Sequence, residues 1–324
     1  MSAPLERVAI IGATGRIGGA FAEALVKTGK HTVTALTRTE SKGKLPVGVK
    51  SVGVNYDDEA SIVEALKGQQ FLAITLSVTA PDDLHARIAA AAGKAEVPYV
   101  MPNVFGYPIE PKGVTEDDWY SQLSLNRIGD VENTNFSSTI KMSCGFWYEW
   151  SLALGNQWFG FSIKDRKVTF FDDGKRIITV STWDQCGRAL AGLLSLPESE
   201  GPTSVASFKT KEVLISSFRV SQRDMLDSLH RVLRTTDADW EILYEPTAKR
   251  VQDGIEEMKN GIFEGFAKML YGSVFLTSNR FSDYAATMPL VNELLGLPTE
   301  DLDEATKRTV HMVESGWNPF PELK

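Results

Sequence analysis

Two cysteines in 324 residues, Cys144 and Cys186, stand far apart with no partner in a short motif. That spacing excludes a disulfide framework and a paired redox motif, and leaves structural thiols of a reducing compartment. Histidine is equally sparse: His31, His85, His230 and His311 are scattered without metal-ligand spacing, so no metal site is expected. No run of about 18 apolar residues offers a membrane span. The residues ahead of the first apolar run lack the charged-then-apolar pattern of a secretory leader. Lysine and arginine number 34 against 42 aspartates and glutamates, a net charge of −8, and they form no block. A nucleic-acid backbone or an anionic membrane needs a basic face, so neither is expected as a partner. G-x-S-x-G, internal repeats and low-complexity linkers are also missing. With 43% hydrophobic and 23% charged residues, the chain reads as a cytoplasmic globular protein of one large domain or two modest ones.

What is present begins at "VAIIGATGRIGGA", residues 8–20. "RVAIIGA" is continuous in apolar and β-branched residues, the mark of a strand buried on both faces. "IGGAFAEALVKTG" carries Ile17, Phe21, Ala24 and Leu25 on one helical face and closes at Gly29. "HTVTALTR" is a second strand. Strand, glycine turn, helix and strand within about 30 residues form the context of a dinucleotide-binding loop. Gly12 permits the turn out of the strand, Gly15 lets a pyrophosphate approach the helix N-terminus, and Gly18 removes a side chain where helix meets strand. Thr14, Arg16 and Ile17 lie in the same turn. The spacing is G-x-x-G-x-x-G, differing from the G-x-G-x-x-G of many dehydrogenases.

The end of the second strand selects the cofactor. An Asp or Glu there would bind the ribose hydroxyls of NAD. Here "LTRTESKGK" places Arg38 at that point, with Lys42 and Lys44 behind it. A guanidinium grips a 2′-phosphate with two hydrogen bonds where a carboxylate would repel it, so NADP(H) is expected, with Arg16 assisting. The alternative is a solvated basic loop.

The alternation continues through "SVGVNYDDEASIVEALKG", "QFLAITLSV" and "PDDLHARIAAAAGKAEVPYVMPNVFGYP" to a strand in "FSSTIKMSCGFWYEW". It predicts an α/β fold: a Rossmann-type doubly wound parallel sheet in a domain over 1–155, then a smaller α+β substrate domain over 156–324, able to return a strand to the main sheet. Ligands in such sheets sit beyond the carboxyl ends of the strands. Asn55, Ser77, Val78, Pro102, Asn103 and Phe146 are therefore candidate cofactor contacts, beside the glycine turn and Arg38.

Together these stretches resemble the NmrA-like and isoflavone-reductase-like branch of the atypical short-chain dehydrogenases. "GATGRIG", Arg38, "MPNVFGYP", "CGFWYEWSL" and "NELLGLPTEDLDEATKR" are similar to stretches of fungal NmrA-like proteins, and the likeness spans nearly the whole chain. It implies NADP binding by the N-terminal domain and a C-terminal domain closing over a substrate. Departures matter too. No tyrosine is followed by lysine four residues on, so the Tyr-x-x-x-Lys pair of the larger family is missing. Where the reductases carry a lysine on the helix after P-S-x-F-G, this chain aligns Arg127 in "LSLNRIGDVEN", with Glu132 matching a later acidic residue. Asn103 replaces the serine. Arginine orients or stabilises negative charge but does not readily shuttle a proton.

"GFWYEWSLALGNQWFGF" gathers Phe146, Trp147, Tyr148, Trp150, Trp158, Phe159 and Phe161. Some build a core and domain junction; following a strand end, others suit a wall for a flat ligand. Tyr148 and Glu149 alone in this cluster can exchange a proton, and with Arg127 they are the catalytic candidates. Substrate contact is expected from Phe105, Trp147, Trp150, Met258 and Phe266. Farther on, "KVTFFDDGKRIITV" reads as a hairpin around Asp173-Gly174, "TWDQCGRALAGLLSLPE" as a helix with Asp184 near its cap, and "VSQRDMLDSLHRVL" as one capped by Ser221. Val251, Ile255, Met258, Ile262, Phe266 and Met269 keep helical spacing beside Gly254, Gly261 and Gly265, as a core stripe or as an adaptable lid.

Three functions stay open on sequence alone. One is an NADP(H)-dependent oxidoreductase acting on a bulky aromatic or heteroaromatic small molecule of secondary metabolism, reducing an imine, C=C or carbonyl. The second is an NADP-requiring redox-neutral cyclase or isomerase. The third is a non-catalytic NADP-sensing regulator that binds a protein partner.

Overall fold

Runs that are apolar on both faces must lie inside a sheet covered on each side. A computed structural model describes residues 2–41, 43–110, 118–199 and 201–319. In chain order its elements begin β1 (Arg7–Ile11), α1 (Arg16–Lys27), β2 (Thr32–Arg38), β3 (Lys50–Val54), α2 (Glu59–Leu66), β4 (Phe71–Ile74), α3 (Leu84–Lys94), β5 (Tyr99–Met101) and α4 (Trp119–Glu132). There follow β6 (Ser138–Thr139), β7 (Lys141–Ser143), β8 (Phe146–Trp147), α5 (Tyr148–Ala153), β9 (Phe161–Ser162), β10 (Lys167–Phe171), β11 (Ile178–Ser181) and α6 (Trp183–Leu194). The last are β12 (Glu212–Leu214), β13 (Phe218–Val220), α7 (Gln222–Leu233), β14 (Glu241–Glu245), α8 (Thr247–Lys259), α9 (Phe263–Phe275) and α10 (Leu302–Glu314).

These elements form two units. One comprises 1–143, 183–215 and 289–298, and the other 144–182, 216–288 and 299–324. A single boundary at 155 does not describe this division. Residues 183–215 return α6 and β12 to the first unit. The reason is visible in α6, where Gly187 lies so close to α1 that an added Cβ would stand 3.2 Å from the Ala24 methyl and nearer still to the Ala20 carbonyl.

Among the described residues the first unit holds a six-stranded sheet in the order β3-β2-β1-β4-β5-β6, parallel throughout. The order reverses between β1 and β4. Right-handed crossovers on opposite sides of that reversal place α1 on one face and α2, α3 and α4 on the other. Ala9, Ile11, Leu36, Leu72, Ile74 and Val100 share a buried layer with Ile62 and Leu66 of α2, Ile88, Ala89 and Ala92 of α3, and Val131 of α4. The alternate residues Val8, Ile10, Ala35, Phe71 and Ala73 are buried as well, as are Phe21 and Leu25 of α1. Each fully buried Leu, Ile or Phe contributes about 1.5–3 kcal/mol. The strand expected through "FSSTIKMS" divides at Ile140. Its N–H still reaches Val100 O (3.0 Å), whereas that of Lys141 reaches Lys211 O (3.2 Å), so β7 leaves the main sheet to pair with β12.

The second unit contains sheets ordered β14-β10-β9 and β13-β11-β8. The expected Asp173-Gly174 hairpin is therefore not formed, since β10 pairs with β14 and β9 while β11 pairs with β13 and β8. A turn is still present, with Gly174 at φ +70° and its N–H on Phe171 O (3.0 Å). Its carbonyl, however, accepts from Arg223 N–H of α7 (3.0 Å), which commits this backbone to the helix. Ser221 caps α7 in a reciprocal capping box with Asp224. The stripe from Val251 to Met269 spans two helices. Gly261, at φ +74°, ends the first, and Ile262 caps the second with 46% of its surface exposed. Gly254 and Gly265 face each other where α8 crosses α9: a Cβ on either would meet the opposing backbone at 2.6–2.7 Å. These glycines permit close helix contact.

Candidate cofactor site

The carboxyl ends of β1 to β5 form one row in the first unit, and the described candidate cofactor residues other than Phe146 fall along it. β1 ends at Ile11, and Gly12 turns the chain with φ +82°. Gly15 N–H closes the turn on Gly12 O at 2.8 Å. Helix α1 then starts at Arg16 with no side-chain cap and no acidic residue in its first turn, so its N-terminal dipole faces outward unneutralised. Thr14, Gly15 and Arg16 are exposed, while Ile17 and Gly18 are buried. Ile17 therefore offers a ligand its backbone, its side chain being in the core.

The three glycines have distinct surroundings. A Cβ on Gly12 would stand 2.6 Å from Thr75 Oγ1 and closer still to the Thr75 carbonyl. One on Gly18 would stand 2.6 Å from Thr75 Oγ1 and clash with Gly12 O. These two are closed by protein. One on Gly15 would meet only Gly12 O, at 3.1 Å, and otherwise fill open space above the helix end. An open glycine at the start of α1 suits the approach of a pyrophosphate to the helix N-terminus.

Arg38 is the exposed last residue of β2, opposite Val54, so Asn55 follows on the adjoining strand. Asn55 is spent on its own turn, its side chain accepting from Asp57 N–H (3.0 Å). Ser77 and Val78 follow β4; both are exposed, Val78 by 61%. Pro102 and Asn103 follow β5. The Asn103 amide donates to Leu76 O (3.1 Å), tying the loop after β5 to the loop after β4. Lys42 lies outside the described residues.

Arg127 reaches this row from α4: its Nη1 donates to Asn103 O at 2.7 Å. Burial draws its pKa below the ordinary arginine value, while Tyr120, Asp130 and Asp82 draw it back. A guanidinium remains protonated in such surroundings, so it supplies fixed positive charge and hydrogen-bond donors. Phe105 packs its ring 5.8 Å from Phe21 in the core of this unit, which leaves it 7% exposed.

The remaining candidates belong to the second unit. Phe146, 8% exposed, packs 4.4 Å from the Tyr271 ring. Tyr148 is fully buried, and its hydroxyl shares a hydrogen bond with Thr306 Oγ1 (2.7 Å), which in turn meets Ser228 Oγ (2.7 Å). Burial pushes that phenol far above its ordinary range. A hydroxyl sealed in this chain is a packing element, which corrects its reading as a proton donor. Glu149 is 3% exposed and accepts from Arg308 Nη2 (2.9 Å), while its buried Oε2 has no hydrogen-bond partner among the described residues. Burial raises its pKa, opposed by its own backbone N–H and by Arg308. Trp147 and Trp150 are half-buried, their rings 6.4 Å apart, and Trp150 also meets Trp158 (6.0 Å) and Trp317 (5.5 Å). Met258 and Phe266 are half-buried on α8 and α9.

Four contributors escaped sequence reasoning. Thr75 bonds Ile11 O through both its N–H (3.0 Å) and its hydroxyl (2.5 Å), locking the glycine turn. Gly43 brings the loop after β2 against Thr14, where a Cβ would lie 2.6 Å from Cγ2; its only signal was a glycine amid "ESKGK". Trp183 of α6 lies under the Arg16 guanidinium at 5.8 Å. His85 joins Asp130 to Asn103. Contacts so distant in sequence leave no local pattern.

Residues 12–123 match a family model described as NAD(P)H-binding. The oxidoreductase aprR of Aspergillus flavus is 25% identical over 303 residues, 92% of this chain and 96% of that protein. The solved structure of AtPrR2 with NADP+ and (+)pinoresinol shares the fold at a TM-score of 0.72 and 16% identity, covering 94% of this chain and 99% of that one. An isoflavone reductase structure does so at a TM-score of 0.68, with 16% identity and the same coverage. Residues 12–123 thus match an NAD(P)H-binding model, the chain shares the Rossmann fold of those solved structures, and its matched curated relatives are fungal oxidoreductases.

Proposed function

We propose that this protein is an NADP(H)-dependent oxidoreductase for a bulky aromatic or heteroaromatic small molecule, of the kind made in secondary metabolism. The observation that carries the reading is the row of strand ends in which Gly15 leaves the start of α1 open and Arg38 closes the second strand without a carboxylate. The exposed Arg38 guanidinium suits a 2′-phosphate, and Gly15 with the α1 amides suits the diphosphate. Ser77, Val78, Pro102 and Asn103 stand farther along the row, where the nicotinamide end would extend. NADPH, when bound, supplies hydride. Arg127, fixed on Asn103 O, supplies positive charge for a developing anion. Trp147 and Trp150 offer aromatic surface for a flat substrate. The sealed state of Tyr148 favours an electrophile that needs little protonation, such as an imine or iminium. It equally favours the second reading, a redox-neutral cyclisation or isomerisation that needs bound NADP.

The test is direct. NADPH and NADH are titrated against the protein, which is then challenged with a fungal metabolite extract while nicotinamide absorbance and product masses are followed together. New product with NADPH oxidation supports reduction, and new product without net oxidation supports the redox-neutral reading. NADPH binding with neither change points to a regulator. Equal affinity for NADH and NADPH would overturn the cofactor assignment.

A further inference from the structure

His85 is the third residue group to close on Asn103, and the polarity of its contacts defines its state. Its side chain is 4% exposed on α3, between α2 and α4. Nδ1 stands 2.8 Å from Asp130 Oδ2, and Asn103 N–H points at Nε2 from 3.3 Å. A backbone N–H only donates, so Nε2 must be the acceptor and the ring proton must sit on Nδ1, donated to Asp130. The Asn103 peptide is then gripped throughout: its N–H by His85, its carbonyl by Arg127, and its side-chain amide by Leu76 O.

We propose that His85 is a positioning residue for the cofactor site: as the neutral Nδ1–H tautomer it anchors the Pro102–Asn103 turn, and through it the carbonyl on which Arg127 is set. The inference rests on the cofactor reading above. A protonated ring would present an N–H at Nε2 to the N–H of Asn103, two donors face to face, and release the turn. The charged groups around the ring are Asp130 and Arg127 from α4. On the α2 side Glu59 is paired with Lys94 (2.5 Å) and Asp57 with Arg87 (3.4 Å). Burial, together with Arg127, holds the imidazole below its ordinary pKa while the Asp130 bond opposes them. The anchor therefore holds at neutral pH and fails on the acid side.

The test uses NADPH and adenosine 2′,5′-bisphosphate, which engages the adenosine end alone; because its 5′-phosphate monoester titrates beside the 2′-phosphate, each ligand is compared between the natural chain and His85→Gln. As pH falls from about 7 to about 5, NADPH affinity should fall further in the natural chain than in His85→Gln, while bisphosphate affinity should fall equally in the two. His85→Gln is the reference because its amide oxygen accepts the Asn103 N–H without titrating. His85→Leu should weaken NADPH about tenfold at every pH and spare the bisphosphate. Ring ¹⁵N spectra should show His85 as the Nδ1–H tautomer. An Nε2–H tautomer, or a folded His85→Leu chain with natural NADPH affinity, overturns the proposal. Should His85→Leu not fold, the pH difference between the natural chain and His85→Gln decides. A natural chain that binds the bisphosphate and not NADPH overturns the placement of the nicotinamide at this turn; binding neither overturns the cofactor reading, and the ring tautomer still decides the anchor.

Discussion

Gly15 and Gly18 lie three residues apart in one turn, yet alanine should affect them in opposite ways. At Gly18 the new methyl would stand 2.6 Å from Thr75 Oγ1 and overlap the Gly12 carbonyl. Ordinary contact begins near 3.4 Å, so α1 must move off the sheet by most of an ångström, and both obstacles are held rigidly: Thr75 by two bonds to Ile11 O, Gly12 by Gly15 N–H. Overpacking of this kind costs about 1–3 kcal/mol. With an unfolding entropy of about 2.1 cal/mol/K per residue, a chain of this length loses about 2–4 °C in Tm. At Gly15 φ is −80°, which alanine adopts freely, and the methyl meets only Gly12 O at 3.1 Å. Stability should stay within about 0.5–1 kcal/mol, the difference between glycine and alanine at an N-cap. The methyl does occupy the space assigned to the pyrophosphate, so NADPH affinity should fall at least about tenfold, or about 1.4 kcal/mol. Scanning calorimetry and NADPH fluorescence titration of both variants check the pair. Unchanged NADPH binding by Gly15→Ala, or equal loss of Tm in the two, would refute the division of labour.

Arg38→Asp should raise the Kd for NADPH by roughly 30-fold, the worth of about 2 kcal/mol of charge-assisted hydrogen bonding, and leave that for NADH almost unchanged; equal losses count against a 2′-phosphate contact. Tyr148→Phe removes one hydroxyl from a buried chain with Thr306 and should cost about 1–2 kcal/mol in stability, with turnover preserved in any assay found; lost turnover at unchanged Tm would restore a catalytic role. Glu149 has a folded-state pKa above its unfolded value, so the folded state binds the extra proton and stability falls as pH rises from about 4.5 through the raised value. Glu149→Gln should flatten that slope in Tm measured from acid to neutral pH, and an unchanged slope would locate the titration elsewhere.

Legibility followed the range of the interactions. The glycine turn, α1 and β2 are local: φ at Gly12, helix periodicity and the β-branched run each act within a few residues, so the nucleotide-binding unit was readable down to Arg38. Ser221 was readable for the same reason, its capping box closing within three residues. Asp173-Gly174 carried an equally local signal and was misleading, because β10 and β11 find their partners in β14 and β13 and the Gly174 carbonyl accepts from the Arg223 N–H of α7. Tyr148 looked like a proton carrier because nothing in its neighbourhood shows Thr306, and the pairing of Glu149 with Arg308 was hidden by the same separation of more than 150 residues.

The sequence by itself therefore determined the Rossmann unit, the glycine turn at the start of α1 and the place of Arg38 at the end of β2, since backbone sterics and periodicity are properties of adjoining residues. Only the tertiary structure decided that α6 and β12 return to the first unit, that Thr75 locks the glycine turn and that Asn103 is held by His85, Arg127 and Leu76 together. Those contacts depend on which strand ends become neighbours in the sheet, and strand order arises from packing that no single stretch of chain encodes.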